Sequence, residues 1–135
     1  MQNKLYETIE LPLFHDERGD LVVAESEKHL GFPVKRVFYI LKTRKGDSRG
    51  FHSHKETILA LFCLQGSSVI KFDDGHEKSE LLLSEPNKGV VIRPGVWHSM
   101  EDFAENTVFL ALASEPYNES DYIRDYAQFK QYIEE

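Results

Sequence analysis

At 135 residues the chain has the length of one ordinary domain, enough to bury about two thirds of its extended surface around one core. A composition that is 41% hydrophobic, 12% aromatic and 29% charged excludes a disordered chain, which would be poorer in apolar residues and more one-sided in charge. The net charge of −7 excludes a broad nucleic-acid or anionic-membrane surface, because both need a dense Lys/Arg face. A small anionic ligand needs only a few local cations, and Arg18, Arg36, Arg44, Arg49 and Lys55 flank the polar motifs.

The N-terminal stretch MQNKLYETIELPLFHDERGD has no apolar run of signal-peptide type, and no segment approaches the roughly 18 apolar residues of a membrane span. A cytoplasmic protein is expected. Seven blocks then alternate apolar with polar residues or run as short β-branched and aromatic stretches: LVVAES, RVFYIL, ILALFCLQ, SSVIKFDD, SELLLS, GVVIRP and TVFLALAS. Turn residues separate them at intervals of about ten, the spacing of an antiparallel sandwich or barrel. DDG at 73–75 reads as a hairpin turn because Gly75 tolerates positive φ; KGD at 45–47 and EPNKG at 85–89 are further turn signals. The single cysteine, Cys63, has no internal disulfide partner and reads as a small core hydrophobe, consistent with a reducing compartment. The tail changes period: Tyr122, Tyr126, Phe129 and Ile133 recur at helical steps, so a closing helix is expected with Ser120 as its N-cap. No second domain or repeat is legible, and residues 1–135 read as one domain.

The chemistry concentrates in RGFHSHKE and RPGVWHS. On a strand, His52 and His54 point the same way, and His98 is a third imidazole to join them. Three histidines converging at a barrel mouth beside Arg49 and Lys55 are costly to desolvate for structure alone. His15, His29 and His76 lie in turn-like polar contexts and read as structural.

A glycine, an HxH pair, a glycine after a strand and a later PG-x-x-H turn resemble the two motifs of the cupin superfamily. Here they are Gly46, His52, His54 and Gly66, then Gly89, Pro94, Gly95 and His98. Metal-binding cupins place a glutamate after the HxH pair; Leu59 stands there, and Glu56 is too close to His54. Three imidazoles without that carboxylate would suit Zn²⁺ better than an octahedral Fe²⁺ or Mn²⁺ centre. Neutral imidazole, with an ordinary pKa of about 6.5, is also suited to moving a proton to and from an acidified carbon.

The ordered set RVFYI, RGFHSHK, DDG, GVVIRPGVWHSM and LASEPYNESDYIRDY resembles the nucleotide-sugar 3,4-ketoisomerases of the FdtA type over nearly the whole chain. The resemblance implies an all-β cupin, a double-stranded β-helix or jelly-roll barrel, with a short C-terminal α-helix. It implies an isomerase that needs no metal or cofactor and acts as a homodimer with exchanged strands. Its substrate would be dTDP-4-oxo-6-deoxyglucose, its product a 3-oxo isomer for deoxyamino-sugar synthesis. His52 would be the base and His54 its partner in hydrogen bonding or relay, while Tyr39, Arg49 and His98 would line the pocket. HDERGD at 15–20 resembles an N-terminal motif of cupin dTDP-sugar epimerases, so Arg18 would meet phosphate or sugar. Arg18-Gly19, with no tyrosine beside the arginine, resembles the members that form the galacto product. A dTDP-sugar 3,5-epimerase, a metal-dependent cupin enzyme, and a non-catalytic sugar- or metal-binding cupin are the competing readings.

Overall fold

The computed structural model describes residues 5–135; residues 1–4, the start of the stretch read for a leader, lie outside it. Twelve strands run in chain order: β1 (Glu7–Glu10), β2 (Leu13–Asp16), β3 (Gly19–Val22), β4 (Arg36–Ile40), β5 (Arg49–His54), β6 (Leu59–Gln65), β7 (Ser68–Asp73), β8 (Lys78–Leu83), β9 (Lys88–Ile92), β10 (Trp97–Glu101), β11 (Val108–Ala113) and β12 (Tyr122–Ile123), followed by helix α1 (Tyr126–Ile133). They form two five-stranded sheets, ordered β1-β9-β6-β11-β4 and β12-β5-β10-β7-β8, and β2 and β3 pair separately as a hairpin. All the pairings are antiparallel. This is the expected cupin barrel.

The apolar run of β6 explains how the layers stack. Leu59, Leu61 and Cys63 face the space between the sheets, against Ile70, Phe72, Ile92, Met100 and Phe109. Ala60 and Phe62 face outward, where Leu11, Leu30, Phe32 and Leu112 cover them. Side chains alternate along a strand, so a strand covered on both faces shows no polar phase. Burial also pushes the Cys63 thiol up to about 11, which leaves it an inert part of the core.

The predicted turn at 73–75 joins β7 to β8: Gly75 has φ +94°, and its N–H donates to Asp73 Oδ1 at 2.7 Å. A Cβ there would collide with Ile133 of α1, so the glycine serves both turn and helix docking.

The tail departs from expectation. Its helix starts at Tyr126, capped by Asp125, whose side chain accepts from the Gln128 N–H at 3.1 Å. Ser120 is not the cap; it lies in a single helical turn over Glu119–Asp121, entered from Asn118. Tyr122 and Ile123 form β12, pairing with His54 and Ser53. The free edge of β5 claims these backbone groups, and edge pairing outweighs helical periodicity. Phe129 then buries completely beside Trp97 and Tyr126, anchoring the helix.

Candidate active site

The site is built on β5, and an irregularity in that strand decides what faces inward. His52 pairs with His98, Gly50 with Ser99 and Arg49 with Met100, leaving Phe51 as an extra residue. Gly50 and Phe51 both take left-handed backbone, φ +97° and +60°, as a β-bulge requires. The bulge flips the alternation, so Arg49 and His52 border the same cavity while Phe51 turns to a groove on the outer face.

That inner cavity holds about 380 Å³. Arg49, His52 and His98 line it, with Leu59, Leu61 and Met100 as an apolar floor and Tyr122 and Arg124 from the tail. The His52 ring lies 4.8 Å from that of His98 and 5.0 Å from that of His54, centroid to centroid, and one ring nitrogen from each of the three lies within 4.8 Å of the others. His98 Nδ1 is 3.2 Å from the Val96 carbonyl oxygen. His52 Nδ1 and His54 Nε2 are buried with no hydrogen-bond partner in the protein, which leaves them open to a bound ligand or water.

All three imidazoles are held neutral. Burial, then the neighbouring imidazole of His54 and the guanidinium of Arg124, bring His52 down to about 4. Burial and His98 take His54 to about 3, with Asp121 pulling the other way; burial and His52 take His98 to about 3. Desolvation disfavours the charged form, and cations nearby add to it. A cluster of neutral bases in a cleft is suited to accepting a proton when an anion forms beside it.

The donor set does not fit a metal centre with a carboxylate ligand. Leu59 is buried at the position where such cupins carry glutamate and contributes to the cavity floor. Among the described residues, three imidazoles are the grouped metal-ligating side chains.

Tyr39 borders the cavity, but its ring is 64% exposed at the edge of β4; Phe38 is the neighbour that packs inward against the core. Arg18 does not line the cavity. It sits on the β2–β3 hairpin with its guanidinium on Asp16 at 2.7 Å and a side chain 87% exposed. His15 pairs with Asp20 on the same hairpin, and His29 Nδ1 accepts from the Glu25 N–H; neither lines the cavity.

The sequence reading missed the tail's part in the site. The Tyr122 ring caps His52 and His54 at 5.1 and 4.6 Å, and Arg124 lies over its ring at 4.3 Å. Glu119 holds Arg124 through two hydrogen bonds, at 2.8 and 2.9 Å, and accepts a third from the Tyr117 hydroxyl. Asp121 is nearly buried and tied to residues just after His54. Assigning 120–135 to one helix hid all of these.

Comparison with known proteins agrees with the barrel. The FdtA family model (WxcM-like, C-terminal) matches residues 4–134. The TDP-4-oxo-6-deoxy-α-D-glucose-3,4-oxoisomerase of Aneurinibacillus thermoaerophilus is 44% identical over 133 residues, covering 98% of this chain and 94% of that protein. QdtA, a sugar 3,4-ketoisomerase from Thermoanaerobacterium thermosaccharolyticum solved with TDP, superposes with a TM-score of 0.94 at 38% identity over 98% of this chain and 97% of its own. A variant of QdtA with one histidine replaced by asparagine, solved with TDP-4-keto-6-deoxyglucose, matches equally at 37% identity over 98% and 96% of the two chains. The fold and site thus define a cupin of the nucleotide-sugar isomerase class. The chain belongs to the FdtA family of 3,4-ketoisomerases.

Proposed function

We propose that this protein moves the carbonyl of a TDP-linked 4-oxo-6-deoxyglucose from C4 to C3, with His52 as the base. The observation that carries this reading is the cluster of three neutral imidazoles, two of which, His52 and His98, line the cavity with His54 packed behind them. The 4-ketone acidifies the C3 hydrogen. His52 takes that proton, the electron pair moves through the new C3=C4 bond onto O4, and an enediolate and an imidazolium form together. His54 relays the O3–H proton to O4, which leaves the charge on O3. His52 then returns its proton to C4 as the carbonyl forms at C3. No electrons leave the sugar.

The low pKa of His52 is compatible with this task, because the enediolate supplies the negative charge that stabilises the imidazolium at the moment it forms. Arg49, and Arg124 beyond Tyr122, add cationic stabilisation of the oxyanions. His98 lines the pocket beside the sugar, and Tyr39 guards its rim. With His52 making both transfers, C4 is protonated from the face that lost the C3 hydrogen, and the product is the 3-oxo galacto sugar.

The protein acts as a homodimer in this reading. Val37, Tyr39 and Leu41 near the β4 edge, and Leu13, Phe14 and Leu21 on the hairpin, are exposed apolar residues that a second copy would cover. Arg18 would then reach a nucleotide-sugar in a neighbouring site, where a guanidinium suits pyrophosphate. The free, buried Cys63 suits a reducing cytoplasm.

Incubation with TDP-4-oxo-6-deoxyglucose in D₂O, followed by NMR at C3, C4 and C5, tests the proposal. A carbonyl at C3 and an axial hydroxyl at C4 are expected. A carbonyl that stays at C4 while deuterium enters C3 and C5 would identify an epimerase instead. The 3,4-ketoisomerase relatives at 37–44% identity favour a carbonyl at C3 over the epimerase outcome.

A further inference from the structure

A carboxylate that acts on His54 is Asp121. It is 9% exposed, and both its oxygens are engaged by the residues that follow His54. The Glu56 N–H donates to Oδ1 at 2.6 Å and the Thr57 hydroxyl to Oδ2 at 2.5 Å. Its own carbonyl accepts from the Lys55 N–H at 2.8 Å. The next residue, Tyr122, pairs with His54 across β12 and β5 and places its ring over both imidazoles. One aspartate therefore fastens the turn leaving the catalytic strand to the strand that caps it.

We propose that Asp121 is a positioning residue for catalysis, fixing the His54 turn and the Tyr122 cap as one unit and setting a negative charge against the imidazoles. This rests on the isomerase reading above. Burial alone would raise the Asp121 carboxyl, but the hydrogen bonds from Thr57 and Glu56, with His54 nearby, hold it below its ordinary value. It stays ionised where the enzyme works. The charged and titratable groups around His54 include His98, His52, Arg36, Arg124 and Asp121, with the Tyr122 ring packed over it. Among them Asp121 is the negative group, so it favours the imidazolium that proton relay creates transiently at His54. Arg36 and Arg124 oppose it from β4 and from the segment after β12. Glu119, the other carboxylate of this segment, is bound to Arg124 and Tyr117.

The test compares Asp121→Asn with Thr57→Val in the full-length protein. It follows kcat and KM for TDP-4-oxo-6-deoxyglucose, TDP binding, and the ring titration of His54 by NMR. Asp121→Asn removes the charge at constant shape, and kcat should fall at least tenfold with KM and TDP binding within about threefold. The His54 titration should move to lower pH. Thr57→Val keeps the charge and removes one hydrogen bond, so His54 should titrate as in the native protein while kcat falls only a few-fold. Should Asp121→Asn fail to fold, Asp121→Glu retains the carboxylate one methylene away; lowered kcat at native KM is expected. Native kcat in a folded Asp121 variant, or an unmoved His54 titration in Asp121→Asn, overturns the proposal. If the native protein binds TDP but never turns over the oxo sugar, the isomerase reading fails instead, and the His54 titration still reports on Asp121.

Discussion

Arg49 and His52, an odd number of positions apart on β5, line the same cavity. Regular alternation would place them on opposite faces, and the Gly50–Phe51 bulge reverses it. Deleting Phe51 should restore a regular strand, turn Arg49 outward and lower kcat/KM by about 10²-fold or more, as small misplacements in active sites do. Phe51→Gly keeps the bulge and removes the left-handed strain of about 1 kcal/mol. That variant should unfold at equal or slightly higher urea concentration and keep turnover within a few-fold, a contrast that steady-state assays with urea titrations would read.

His52→Asn retains hydrogen bonding but not basicity. Turnover should fall by about 10²- to 10⁴-fold, the usual contribution of a positioned base, with TDP affinity within a small factor by calorimetry. Comparable loss of binding and turnover would assign His52 to substrate affinity instead.

The depressed imidazoles fix the sign of the acid response. His52, His54 and His98 protonate at about 4, 3 and 3 in the folded chain, against about 6.5 when unfolded. Between these limits the unfolded chain binds more protons, so stability is fully present above pH 6.5 and declines as pH falls toward 4. The slope approaches 1.4 kcal/mol per pH unit for each histidine. Thermal melts from pH 8 to pH 4 should show this loss, and substituting His98 by Gln should flatten it.

Turnover should survive prolonged chelation. Among the described residues no carboxylate joins the three imidazoles as a fourth ligand, with Leu59 in its place, so extended dialysis against a chelator is expected to leave kcat unchanged. Activity that disappears and returns only with one equivalent of a transition metal would contradict the proton-transfer scheme.

Phe129 is completely buried beside Trp97. Its replacement by Ala should cost about 3–5 kcal/mol, read from chemical denaturation, with the imidazole titrations unmoved in the fraction that remains folded.

The barrel was legible because each core strand carries its apolar residues in short blocks between turn residues, and β6 announces burial on both faces by lacking a polar phase. The three histidines were legible from spacing: His52 and His54 share a face of β5, and β10 brings His98 opposite. The inward place of Arg49 was unreadable, since a bulge is a matter of backbone φ rather than of pattern. The roles of Tyr122, Arg124 and Asp121 were hidden because Tyr122, Tyr126, Phe129 and Ile133 keep helical period across a boundary that only the open edge of β5 reveals. Arg18 could be placed on a turn, and the structure sets it on the β2–β3 hairpin, away from the cavity.

The division of labour between the two sheets has an evolutionary corollary. One supplies a greasy foundation, the other carries the working groups, and the roof over them is a short span, 117–124, pinned at a handful of points. A lineage can rebuild that roof by a few substitutions while leaving foundation and imidazoles alone. Divergence in sugar preference among such barrels should therefore accumulate in this span sooner than in the strands beneath it.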